Sequence, residues 1–124
     1  MKIDKSKVTL VVGASENTSR YSNMAIKRLL NHKLPVLAMG SKKGVVENVK
    51  IETEFSSFKN IDTVTLYVGP QNQAALIPQI IHLKPRRIIF NPGTENPDFI
   101  KVANENGIKT EIACTLVLLS LDSY

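Results

Sequence analysis

At 124 residues the chain has the size of one ordinary domain, which leaves no room for a separate substrate domain. Hydrophobic residues at 43% and charged residues at 22% form a normal globular mixture, able to bury about two-thirds of the surface the unfolded chain exposes, and they exclude dominant disorder. Sixteen Lys and Arg against eleven Asp and Glu give a formal charge of +5, which favours an anionic ligand; basic runs no longer than two and the lack of interleaved aromatics argue against nucleic acid.

Along the chain, Val8 to Val12 is a short apolar run rich in β-branched residues that stops at Gly13, the pattern of a buried strand. A helix starting near Ser22 or Asn23 carries Ala25, Ile26, Leu29 and Leu30 on one face and is ended by Leu34-Pro35. Val36 to Met39 reads as a second buried strand that stops at Gly40, followed by the polar, flexible stretch Ser41-Lys42-Lys43-Gly44 and a short strand over Val49 to Ile51. Ser56 to Lys59 supports at most one helical turn, with Phe55, Phe58 and Ile61 beneath it. Thr63 to Val68 alternates Thr with Val and Leu as a strand does. Gly69-Pro70 follows, with Pro70 suited to the first turn of a helix bearing Leu76, Ile77, Ile80 and Ile81, and Pro78 inside that helix predicts a kink. Arg87 to Phe90 is the next strand and ends at Asn91-Pro92-Gly93. Asn96, Pro97 and Asp98 then supply an N-cap, a first-turn proline and a favourable acid for a helix that Gly107 closes. Ile108 to Ala113 is the last strand, and Thr115 to Leu119 a short terminal helix.

Strands alternating with helices predict right-handed βαβ units, and so an α/β fold: a three-layer, doubly wound parallel sheet of Rossmann type in a single domain. The five main strands end in Gly13, Gly40, Gly69, Asn91-Pro92-Gly93 and Ala113-Cys114. Small or turn-forming residues therefore gather where the ligand crevice of an open parallel sheet lies.

The loop from Gly13 to Tyr21 is a phosphate-binding candidate: amides at a helix N-terminus favour anions, Ser15, Thr18 and Ser19 can donate hydrogen bonds, and Arg20 can neutralise a diphosphate. The strict G-x-G-x-x-G pattern is absent, so an ordinary polar loop stays open as a reading. After the second strand, where NAD sites usually carry an acid for the ribose hydroxyls, stand Ser41, Lys42 and Lys43. Lysines there favour a ligand with an extra ribose phosphate, either coenzyme A or NADP, unless both are solvated surface charges.

Cys114, at the end of the last strand, is either a small packed residue or a thiol facing the crevice, where it could form a mixed disulfide with a ligand thiol. As the single cysteine it excludes an internal disulfide framework, leaves too few thiols for a zinc cage and fits a reducing cytosol. The unpaired His32 and His82 read as surface or capping residues, and Glu95 as a base or an acid that favours the next helix N-terminus; Tyr21 and Phe90 are offered to an adenine ring, with core burial the other reading of Phe90. The start Met-Lys-Ile-Asp-Lys-Ser-Lys lacks the apolar region of a secretory signal, and no apolar stretch approaches the roughly 20 residues that span a bilayer. A cytoplasmic protein without a membrane partner is expected.

Val11-Val12-Gly13-Ala14-Ser15, Arg20-Tyr21, Ser22-Asn23, the Gly- and Lys-bearing second loop, Asn91-Pro92-Gly93-Thr94-Glu95 and the segment from Gly107 to Cys114 resemble the small bacterial CoA-binding proteins over nearly the whole chain. These are stand-alone relatives of the CoA-binding domain of succinyl-CoA synthetase and similar acyl-CoA synthetases. The resemblance implies that Gly13, Ala14, Ser15, Ser19, Arg20 and Tyr21 surround the adenine nucleotide and diphosphate, and that Lys42 and Lys43 meet phosphate. It also implies that Val68, Gly69 and Pro70 flank the adenosine and that Asn91, Pro92 and Gly93 border the pantetheine arm, towards Cys114. Two positions depart from the common pattern: Lys33 stands where many relatives close the first helix with Gly, and Gly40-Ser41 replaces Asn-Pro after the second strand.

The resemblance further implies a module that binds coenzyme A or an acyl-CoA without chemistry of its own, since the synthetases place their catalytic His on domains this chain lacks. A small NADP-dependent reductase or redox sensor fits the same fold, but the spacing specifies no catalytic pair. A regulatory subunit docked on an acyl-CoA enzyme and a homodimer are each compatible with so small a domain.

Overall fold

The computed structural model describes residues 3–124. Its central strand is β1 (Val8–Val12), where Leu10 and Val12 look to one side of the sheet and Val11 to the other, all with almost no exposure. A strand apolar on both faces needs cover on both. The chain supplies it through α1 (Tyr21–Asn31), β2 (Val36–Met39), β3 (Gly44–Val46), β4 (Val49–Glu52), β5 (Ile61–Leu66), α2 (Ile77–Leu83), β6 (Arg87–Phe90), α3 (Pro97–Glu105), β7 (Lys109–Ile112) and α4 (Thr115–Ser120). The seven strands form one sheet in the order β3-β4-β2-β1-β5-β6-β7, parallel throughout except for the antiparallel β3–β4 pair. From β1 the chain winds outward to β4, then returns across β1 to β5, so strand order reverses between β1 and β5.

Ile26, Leu29 and Leu119 bring α1 and α4 onto Val11 and Ala38 on one face. Ile80, Phe99 and Ala103 bring α2 and α3 onto Leu10, Val12, Leu66, Ile88 and Phe90 on the other, where Phe90 and Phe99 meet edge-on at 5.2 Å. The three-layer, doubly wound α/β architecture expected from the sequence is the one observed.

The alternation in β5 has a different meaning from that of a half-solvated strand. Thr63 and Thr65 are buried beneath the α4 side, where Thr65 Oγ1 lies 2.7 Å from Thr115 Oγ1 and Thr63 Oγ1 accepts a 2.9 Å hydrogen bond from Arg87 Nε.

Four local expectations need correction. Gly44 opens β3, which pairs with β4 as a hairpin, so the polar stretch is only three residues long. Pro70 opens a 3₁₀ turn over Pro70–Asn72 instead of an α-helix, and α2 begins later, at Ile77. Pro78 consequently falls in the first turn of α2, where no amide donor is required, and produces no interior kink. The turn near Ser56 is a 3₁₀ turn over Phe55–Ser57. Lys33 adopts φ 61° after α1, the left-handed conformation that glycine would take at lower cost, a strain of about 1 kcal/mol.

Candidate functional site

The strand ends meet where the order reverses. β1 finishes on Gly13 at φ +96°, and a Cβ there would lie 2.9 Å from the Tyr67 carbonyl oxygen and 3.0 Å from Val68 Cγ2, so the ends of β1 and β5 touch backbone to backbone. On the other flank, a Cβ on Gly40 would collide with the Ala14 carbonyl, while the Gly13 and Ala14 amides both donate to Met39 O at 2.8 and 2.9 Å. Three strand ends thus form one continuous rim, and the loops after β6 and β7 extend it.

The loop after β1 is held in shape by its own side chains. Asn17 Oδ1 accepts from the Ser19 amide (3.0 Å) and hydroxyl (2.7 Å), and Ser15 Oγ accepts from the Asn17 amide at 3.0 Å. Buried Asn23 on α1 donates to Ser15 O at 2.9 Å, and Glu16 Oε2 accepts from the Val45 amide at 2.9 Å, clasping the loop to β3. The hydroxyl of Ser19 is therefore used locally, whereas that of Ser15 accepts and keeps its proton to donate.

The helix that this loop enters begins without protein neutralisation. Arg20 is its N-cap, no side chain caps it, and no acid stands in its first turn. At the same rim α3 is closed: Asn96 Oδ1 accepts from the Phe99 amide at 3.3 Å, Asp98 stands in the first turn, and Glu95 takes the Gly93 amide at 2.8 Å. Of these two helix N-termini, α1 presents free positive potential to solvent. Arg20, Lys42 and Lys43 are exposed, and so is Tyr21, at 68%.

Beyond β5 the expected residues divide. Gly69 is half-buried and Pro70, Pro92 and Gly93 are exposed, with Val68 half-buried beneath them. Asn91 is not available to a ligand through its side chain. Its Nδ2 donates to Thr65 Oγ1 (2.7 Å) and Leu66 O (2.9 Å), its Oδ1 accepts from the Thr115 amide (2.8 Å), and it is 1% exposed. A second buried amide that the sequence reading did not single out, Gln73, ties the same region together through Val68 O (2.8 Å), Thr94 O (2.9 Å) and Asn96 Nδ2 (2.9 Å). Its spacing matches no amphipathic pattern, because it lies in a turn and ties together the loops after β5 and β6. The ties made by Glu16 and Asn23 were equally invisible, each depending on a segment folded back from elsewhere.

Cys114 is a half-buried free thiol at the N-cap of α4. Near it, the Tyr67 hydroxyl is buried without a hydrogen-bond partner, while the Thr65 and Thr115 hydroxyls bond each other. Burial pushes the Tyr67 phenol up to about 12 against the opposing influence of Thr115 and Thr65. Because the folded state holds this proton more tightly, the associated stability is complete below the unfolded value near 10 and is lost as pH rises towards 12. Urea titrations between neutral pH and pH 12 should show an alkaline loss of which about 2–3 kcal/mol is absent in Tyr67→Phe. An identical alkaline loss in the variant would refute this account.

Other features lie away from the rim. His32 caps the far end of α1, its Nδ1 2.9 Å from Arg28 O, and His82 is exposed in the last turn of α2. A cavity of about 380 Å³ at the opposite ends of the strands is lined by Lys7, Asp62, Arg86, Arg87, Lys109 and Glu111, whose charges pair with one another. Burial opposes ionisation of Asp62, but hydrogen bonds from Arg86 and Thr63 and the charges of Arg86 and Lys7 outweigh it and hold the carboxyl below its usual range. Among the described residues, no cluster of His, Cys, Asp and Glu could hold a metal, and no helix is long and apolar enough to cross a membrane.

No curated protein matches the chain. Among solved structures, an uncharacterized protein is 45% identical, with a TM-score of 0.92 over 95% of this chain and 98% of its own. A hypothetical protein from Pyrococcus horikoshii OT3 is 27% identical, with a TM-score of 0.80 over 88% of this chain and 78% of its own. The dinucleotide-forming acetyl-coenzyme A synthetase 1 of Ca. Korarchaeum cryptofilum, solved with phosphate and ADP, shares the fold at 16% identity and a TM-score of 0.71. That match spans 84% of this chain but 25% of the synthetase. A family model described as CoA binding domain matches residues 7–120, and with strand ends, open helix terminus and basic loops in the places described, the chain belongs to the CoA binding domain family.

Proposed function

We propose that the protein binds coenzyme A or an acyl-CoA at the rim of β1, β2 and β5, as a binding module without chemistry of its own. The observation that carries this reading is the N-terminus of α1, free of side-chain cap and acid, at the point of strand reversal beside exposed Arg20. A diphosphate fits there: the amides of Gly13, Ala14 and Gly40 are spent on Met39 O and Glu52 O, but the first turn of α1 has no side-chain cap, and Ser15 retains a donor proton. Lys42 and Lys43 would meet the ribose phosphate, Tyr21, Val68, Gly69 and Pro70 the adenosine, and Pro92, Gly93 and Cys114 the pantetheine arm. Asn91 shapes that arm's border from beneath, through Thr65, Leu66 and Thr115.

Calorimetry with coenzyme A, dephospho-coenzyme A and NADP separates the parts of this reading. Coenzyme A should bind, and removing its ribose phosphate should weaken binding about tenfold or more, a difference that Lys42→Ala/Lys43→Ala abolishes. Absence of coenzyme A binding rejects the ligand. Equal affinities for the two forms reject the role of the lysines, and tighter binding of NADP rejects the choice between the two cofactors.

A further inference from the structure

We infer that β7 is an interface with a second copy of this chain, joined antiparallel about a two-fold axis through Thr110. β7 ends the sheet on one side. Lys109 donates its amide to Arg86 O at 3.1 Å and Ala113 donates to Phe90 O at 3.2 Å, in register with β6. In a parallel ladder alternate residues face the neighbouring strand, so the amides and carbonyls of Thr110 and Ile112 point to the open edge. Unpaired edges of this kind invite strand addition unless something blocks them. β7 contains neither proline nor bulge, and Ile112 is 65% exposed.

The charges on β7 select the partner and the register. Lys109 and Glu111 are two residues apart, hence on one face of the strand, and they bridge each other at 3.5 Å. Antiparallel pairing requires that outward-pointing residues face one another, which restricts the symmetric registers to axes through a residue of β7, Lys109, Thr110, Glu111 or Ile112, and an axis at Lys109 sets that ammonium against its own copy. An axis at Glu111 sets that carboxylate against its own copy. An axis at Ile112 sets it against Ala113. Only the axis at Thr110 places Lys109 of each chain opposite Glu111 of the other, in a non-hydrogen-bonded pair where side chains approach most closely.

In that register the Thr110 amides and carbonyls of the two chains bond reciprocally, and each Ile112 amide reaches Ile108 O of the second copy. The Ile108 amide itself is already given to Ala103 O at 3.0 Å, so it makes no demand on the interface. Ile112 then lies beside Ile108 of the other chain and loses much of its exposure. Strand pairing of this kind leaves both ligand rims open, because they lie at the strand ends and not along the edge.

Sedimentation across a dilution series tests the interface, with hydrogen exchange as the residue-level readout. The protein should sediment at twice the chain mass of 13.7 kDa, with the Thr110 and Ile112 amides protected. Thr110→Pro deletes the outward amide without touching the β6 ladder and should sediment as a single chain with an unchanged circular dichroism spectrum. Lys109→Glu sets like charges opposite and should raise the dimer dissociation constant about tenfold or more. Single-chain mass at every concentration overturns the inference, as does fast exchange of both amides or a dimer that survives Thr110→Pro.

Discussion

Replacing Asn91 with Asp should lower the free energy of unfolding at neutral pH by about 3–5 kcal/mol, measured by urea denaturation. The shape of the side chain is kept and the chemistry inverted. The amide that donates to Thr65 Oγ1 and Leu66 O becomes an acceptor, so a carboxylate oxygen faces the Leu66 carbonyl at a site 1% exposed. The bond from the Thr115 amide survives, and the Thr65 hydroxyl must turn to donate, but the Leu66 carbonyl has no donor left. A buried carboxyl in such surroundings holds its proton more tightly than the unfolded chain does, so the variant should regain stability as the pH falls, unlike the wild type. Loss below about 1 kcal/mol would mean that Asn91 is not the tie between β5, β6 and α4 that its hydrogen bonds describe.

Gly13→Ala should cost about 3 kcal/mol or more of stability and weaken coenzyme A binding about a hundredfold. Two independent strains add: φ +96° is closed to an L side chain, and the new methyl would press on the Tyr67 carbonyl and Val68 Cγ2. Relief requires β1 and β5 to part where the loop turns into α1, which would shift the helix N-terminus proposed to receive the diphosphate. Stability reports the packing and calorimetry reports the site. A destabilised variant with undiminished affinity would leave the fold as described and reject the rim as the ligand site.

The strands β1, β2 and β6 were legible to the residue, because each is a continuous run rich in apolar residues that stops at a turn-forming residue, although β2, expected to be buried, leaves Leu37 exposed. The ends of α3 were legible for a related reason. Asn96, Pro97 and Gly107 act through local backbone chemistry that needs no distant partner. Where the sequence misled, the deciding contact lay elsewhere in the chain. Gly44 looked like a flexible spacer until its pairing with Ile51 made it part of a hairpin, and Pro78 became harmless only because the preceding turn delayed the start of α2.

The same division runs through the site. That Gly13, Gly40, Lys42, Lys43 and the loop from Ser15 to Tyr21 lie at the carboxyl ends of β1 and β2 could be read in advance, because strand ends and charges are visible in one dimension. Asn91 stands at the end of β6 as the sequence reads, but only the folded sheet turns its amide inward to Thr65, Leu66 and Thr115, away from the ligand-facing role expected of it. The sequence by itself determined the fold class, the ends of β1, β2 and β6 and the positive charge after β2, since hydrophobic periodicity, turn chemistry and charge are local properties, whereas β5 ends at Leu66 and β7 at Ile112, short of the expected Val68 and Ala113. Tertiary structure alone decided which polar side chains are consumed as internal ties and which strands, β3 and β7, lie at the edges of the sheet, because these depend on distant segments being brought within about 3 Å of each other.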